Sequence, residues 1–225
     1  MVHEEKLTKA NLRTPRAAAI AGIVFSTLLI QAFWLLRVSI PTESLISKEW
    51  LGDHARTVTI ALSLIPLSGI AFLWLIGVVR DRLGQREDRF LATVFLGSGL
   101  LFLAMLFAAA AVASAAVIAF NAMPDQAFDP RMLAFARTLV SDLMNVYATK
   151  MAGVFMFSTS TIAIYTRFAP RYTGFLGYGL AVVLVLGSHY FEWSFFVFPL
   201  WVLLLSAHIL ADDLRGSSHV RNTNP

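Results

Sequence analysis

The sequence predicts an all-α membrane protein: six transmembrane helices, an outer amphipathic helix before the fourth span, and both termini cytoplasmic. Three observations carry this. Of 225 residues, 57% are hydrophobic and only 14% charged, whereas a soluble domain usually holds about 25% charged residues. The mean hydropathy is +0.68. The charges gather in clusters that leave long runs without an ionisable side chain. Six crossings at roughly 20 residues each leave loops and tails but no room for a separate soluble catalytic domain. The expected division is a cytoplasmic tail at 1–16, one six-helix membrane domain at 17–211 and a second cytoplasmic tail at 212–225.

Residues 17–36 and 57–79 are free of ionisable groups, and each is long enough to cross hydrocarbon as a helix. The third run, Phe90 to Phe120, would stretch about 45 Å as a helix, so it tilts, kinks or projects beyond the bilayer. Lys150 and Arg167 leave only 151–166 uncharged for the fourth span, so its helix must begin earlier. Asp129 followed by Pro130 is a start signal, because aspartate caps free N–H groups and proline is tolerated in a first turn. From there Thr138, Asp142, Asn145 and Thr149 recur at helical spacing, opposite Phe135, Leu139, Leu143 and Val146. Residues 172–211 carry one formal charge, Glu192, and divide into spans five and six with a turn near 188–194. Pro199 should kink the sixth span or be accommodated by its neighbours.

Lys and Arg set the orientation. With the N-terminus inside, 12 of the 18 fall on the inner side, which the positive-inside rule favours. A multi-pass protein of the plasma membrane is the expectation, with the lipid bilayer as its surroundings and a second copy or a partner membrane subunit as a companion. The pI near 9.7 does not point to nucleic acid, because the basic residues sit at the ends of apolar runs. No cofactor and no metal are expected: the chain has no cysteine, and its histidines form no ligand-spaced pair.

The pattern offers few chemical groups. No Asp or Glu lies deep in a span, where proton-coupled pumps keep one. Ser158, Thr159, Ser160 and Thr161 place four hydroxyls in mid-span. Either they bond back to carbonyls one turn earlier, or they line a wet cavity or stitch helices together. Arg37, Asp142, Lys150, His189 and Glu192 should share one depth at the outer boundary. They form a polar or anionic ligand site or a set of ion pairs and headgroup contacts. Nothing combines a nucleophile with a base, so no enzymatic activity is expected.

The inner loop between spans two and three holds Gly77, Asp81, Arg82, Gly84 and Arg86. This order resembles the G-x-x-x-D-R-x-G-x-R signature in the corresponding loop of major facilitator transporters. The resemblance covers about ten residues and implies that Asp81 pairs with an arginine as a conformational latch, Gly84 making the turn. Lipid headgroups and neighbouring acids account for the same arginines. A longer stretch, Gly69 to Phe107, together with Pro199 to Leu210, is similar to uncharacterised bacterial integral membrane proteins, chiefly actinobacterial. That resemblance implies the architecture and brings no activity with it. The expected function is a non-catalytic accessory or structural membrane component. The alternative is a small oligomeric transporter or channel for a polar or ionic solute.

Overall fold

The computed structural model describes residues 2–39, 48–83, 89–122, 130–166, 170–187 and 193–221. Among these the chain forms six continuous helical stretches and no strand. They are α1 (Val2–Ser39), α2 (Lys48–Leu83), α3 (Arg89–Ala122), a stretch comprising α4 (Pro130–Asp142), a π-helical turn (Leu143–Ala148) and α5 (Thr149–Thr166), then α6 (Arg171–Gly187) and α7 (Ser194–Arg221). Helices are expected where apolar residues run on, because a helix satisfies its backbone groups within the segment. Four stretches are long and apolar enough to cross a membrane: Arg16–Ser39, His54–Arg80, Arg89–Ala119 and Ser194–Leu214. Arg171–Gly187 is a shorter apolar helix.

The helices form an arc in which α2 lies between α1 and α3. α1 packs also on α7, α3 on α5, and α5 on α6; lighter contacts of α7 with α5 and α6 close the arc. At one end Arg16 of α1 is ion-paired with Asp213 of α7. At the other, Phe33 of α1 meets Phe195 of α7 edge-on at 5.2 Å. The first and last helices are therefore antiparallel along their shared length.

The centre is aromatic. Phe25, Phe72, Phe102, Phe155 and Phe198, one each from α1, α2, α3, α5 and α7, are all buried. Phe72 lies 4.6 Å from Phe25, 5.0 Å from Phe155, 5.5 Å from Phe102 and 5.7 Å from Phe198 between ring centroids. These tilted and edge-on pairings suit the ring quadrupole and contribute about 0.5–1.5 kcal/mol each beyond area burial. Phe95 stacks on Phe155 at 4.8 Å and extends the cluster along α3.

Large apolar side chains also face outward, among them Trp74, Phe175 and Leu186. In the segment before α5 Phe135 and Leu139 are exposed together with Thr138 and Asp142, while Arg137, Val140, Ser141 and Met144 line a cleft. The helix is amphipathic at the expected place, yet its apolar stripe does not mark its packed face.

Small residues bring helices together at Gly99, Gly174 and Gly177. A Cβ at Gly99 would meet Ile76 at 2.8 Å, and one at Gly174 would meet Ile164 at 2.6 Å. Gly97 and Gly179 face open space. Pro66 sits inside α2 and Pro199 inside α7. Each removes one backbone donor, and Pro199, the sixth residue of α7, lies beyond the first turn whose N–H groups have no intrahelical partner.

Candidate functional site

Three of the four consecutive hydroxyls in α5 bond back along their own helix. Ser158 donates to the Val154 carbonyl at 3.0 Å, Thr159 to Phe155 at 2.7 Å and Thr161 to Phe157 at 2.9 Å. Local bonding of this kind satisfies a hydroxyl without a partner helix. Thr161 adds a bond to the Tyr178 hydroxyl of α6 at 2.9 Å, so it also joins two helices. Ser160 differs: its hydroxyl is buried, with no hydrogen-bond partner among the described residues, and the indole N–H of Trp201 in α7 shares that condition. Both groups abut Gly177, whose hypothetical Cβ would lie 2.1 Å from Ser160 Oγ and 3.0 Å from Trp201 Nε1.

A wider feature opens where α1, α3, α4 and α7 meet. It is a cleft of about 260 Å³, open on one side. Arg37 of α1 and Arg137 of α4 line it together with Ser141, Asn145 and a largely apolar floor that includes Phe33, Ile65 and Ala109. No Asp or Glu is among its described lining residues. The Arg37 guanidinium lies 5.5 Å from the ring centroid of Trp193, a cation–π placement that helps hold it at the rim.

The sequence brings these groups together through helical spacing. Arg137, Ser141 and Asn145 stand four residues apart and so share one stripe. The Asn145 amide donates to Ser141 Oγ at 3.1 Å and links two members of that stripe. The π-helical turn begins at Leu143, and there the Met144 carbonyl accepts both the backbone N–H and the hydroxyl of Thr149, the latter at 2.8 Å. Such turns occur often at functional sites. Beneath the cleft a void of about 10 Å³ shares Phe33, Met144 and Phe195 with it and is bounded by Phe102 and Phe198. That is close to the smallest space a single water needs. The cleft therefore ends on the aromatic core.

Of the expected outer cluster, Arg37 lines the cleft, whereas Asp142 is exposed and Lys150 half-buried, both outside the cleft lining. His189 and Glu192 lie outside the described residues. So do Gly84 and Arg86 of the inner loop; Asp81 and Arg82 belong to the end of α2, but their side chains are not described. Arg137, Ser141 and Asn145 were legible only as outer polar residues; their four-residue spacing was the signal that would have joined them. At the opposite end His208 takes part in a contact with the Tyr172 hydroxyl, 3.2 Å from Nδ1, and its ring meets the tyrosine edge-on at 5.6 Å. Among the described residues no three His, Asp or Glu side chains gather as metal ligands would. The chain matches no protein-family model, no curated protein and no solved structure.

Proposed function

We propose that the chain is a six-span protein of the plasma membrane, with both termini in the cytoplasm, acting as a non-catalytic accessory or structural component. The observation that carries the non-transporting part is the phenylalanine cluster. Five helices each contribute a buried ring, and these rings occupy the bundle centre that a single-chain pathway would have to follow. The back-bonded hydroxyls of α5 agree with it, since three of the four have local partners.

Several features support six crossings. α5 and α6, at 18 and 17 residues, reach about 26–27 Å, close to the roughly 30 Å hydrocarbon thickness. α5 also continues without a break from the π-helical turn and α4. The pairing of Arg16 with Asp213 suits an even number of crossings. The arginine-rich inner loop and the resemblance to actinobacterial membrane proteins are consistent with this reading.

A small oligomeric transporter is the second reading, favoured by the two arginines of the cleft and by the Ser160 hydroxyl, which has no hydrogen-bond partner among the described residues. Because the chain has no cysteine, single cysteines at 158, 159, 160 and 161 separate the two. In the accessory reading all four resist small water-soluble thiol reagents in membranes. Rapid labelling at any of them would replace it with the transporter.

A further inference from the structure

The outward residues of α1 fall on one narrow stripe. Within the candidate span Arg16–Ser39, Ile20, Val24, Thr27, Gln31, Trp34 and Val38 are exposed, in steps of four, three, four, three and four residues. That is the seam spacing of two helices packed side by side. α2 and α7 pack on the rest of α1 and leave this stripe uncovered.

Gln31 interrupts the apolar seam. It is the one amide side chain within the four candidate spans. Six residues before Arg37, it lies about 9 Å deeper than that boundary charge, too deep for so short a stem to reach the headgroups. The exposed hydroxyls of the spans, Thr27, Thr59, Ser63 and Thr93, bond back to carbonyls of their own helices. The Gln31 amide takes part in no hydrogen bond with a described residue. Lipid tails offer it neither donor nor acceptor, so an unpaired amide there is costly.

We propose that α1 is a homodimer interface: two copies of this chain pack in parallel along the stripe, the Gln31 amides of the two copies bonded to each other. The inference rests on the membrane reading given above. Copies inserted in one orientation hold Gln31 at one depth, so a two-fold axis along the membrane normal brings the amide against its own counterpart. An amide is self-complementary. Each carbonyl accepts from the other's NH2, and two hydrogen bonds form where lipid would provide none. A partner of other chemistry would need a donor and an acceptor at that same depth, which a second copy supplies by symmetry. One polar residue in an apolar seam also fixes the register of the pair.

Because the chain has no cysteine, single cysteines map the contact in the full chain, reconstituted in phosphatidylcholine vesicles at high lipid dilution. Oxidation should link copies through Val24→Cys, Thr27→Cys and Trp34→Cys. Phe175→Cys of α6 and Leu100→Cys of α3, which are also exposed, should link about tenfold less, since only random collision brings them together. Resonance energy transfer between chains labelled on a cysteine added after Pro225 gives the dissociation constant. Gln31→Leu should raise it about five- to tenfold, the loss of two membrane hydrogen bonds. Gln31→Asn keeps the amide and should stay nearer the wild type. The side chain is exposed, so both variants should melt with the wild type. Equal cross-linking at all positions, none on the stripe of an inserted chain, or an unchanged dissociation constant in Gln31→Leu would overturn the dimer. Extraction of the chain from vesicles by alkaline carbonate would overturn the membrane reading and the dimer with it. Firm insertion of a chain that stays monomeric would overturn the dimer alone.

Discussion

Gly177 of α6 lies against Ser160 of α5 so closely that a Cβ at position 177 would fall 2.1 Å from the serine oxygen. The approach is permitted by the missing side chain, and it brings α6 onto α5 with the Trp201 indole alongside. Gly177→Ala should therefore destabilise the bundle by about 1–3 kcal/mol, the usual cost of overpacking. Ser160→Ala should have the opposite sign, because it removes a buried hydroxyl without a partner among the described residues. Thermal unfolding in detergent measures both; a strongly destabilised Ser160→Ala would mean that the hydroxyl has a partner in the membrane.

Thr161 and Tyr178 offer a cleaner measure of an interhelical hydrogen bond. Their hydroxyls are 2.9 Å apart, across α5 and α6. A double-mutant cycle of Thr161→Val and Tyr178→Phe should give a coupling near 0.6 kcal/mol, the average for such contacts in membranes. The same cycle between Thr159 and Tyr178 should give none, since Thr159 bonds to its own helix.

Phe72 touches four other rings of the core. Phe72→Ala should cost about 3–5 kcal/mol, through lost contacts and the cavity left behind. Phe175, of the same residue type but exposed, should change stability by less than about 0.5 kcal/mol on replacement by alanine. Comparable losses at the two positions would remove the phenylalanine cluster from its central role.

Arg16 and Asp213 join the first and last helices, but the arginine side chain is 46% exposed. Such a pair is worth less than about 1 kcal/mol after solvent screening. Each single alanine variant should accordingly shift the melting temperature only slightly, and the charge-swapped Arg16→Asp with Asp213→Arg should return most of that shift. A loss of several kcal/mol from either single change would place the pair in a far drier setting.

The run lengths in the sequence were enough to locate the helices. The expected spans at 17–36 and 57–79 fall within Arg16–Ser39 and His54–Arg80, and that at 90–120 overruns Arg89–Ala119 by one residue. The helix start at Pro130 coincides with α4. The fifth and sixth helices part where the turn was expected. The candidate site was less legible. Arg37 was recognisable as a boundary charge, but its place in one cleft with Arg137 depends on how α4 packs against α3, a choice that spacing along one helix cannot express. The four hydroxyls were visible as a group, while their division into local, bridging and unpartnered members depends on what α6 and α7 place beside each.

Sequence alone determined that this chain is a set of apolar helices with charges at their ends, because the cost of an unsatisfied backbone or a charge in an apolar medium acts on every segment separately. Tertiary structure alone decided which faces meet. With large apolar side chains such as Trp74, Phe175 and Leu186 facing outward, an apolar stripe does not identify the interior, and the fit of Phe72 among its neighbours or of Gly177 against Ser160 becomes the deciding term. That fit is a property of surfaces in three dimensions, and dispersion contacts between them fall away within fractions of an ångström.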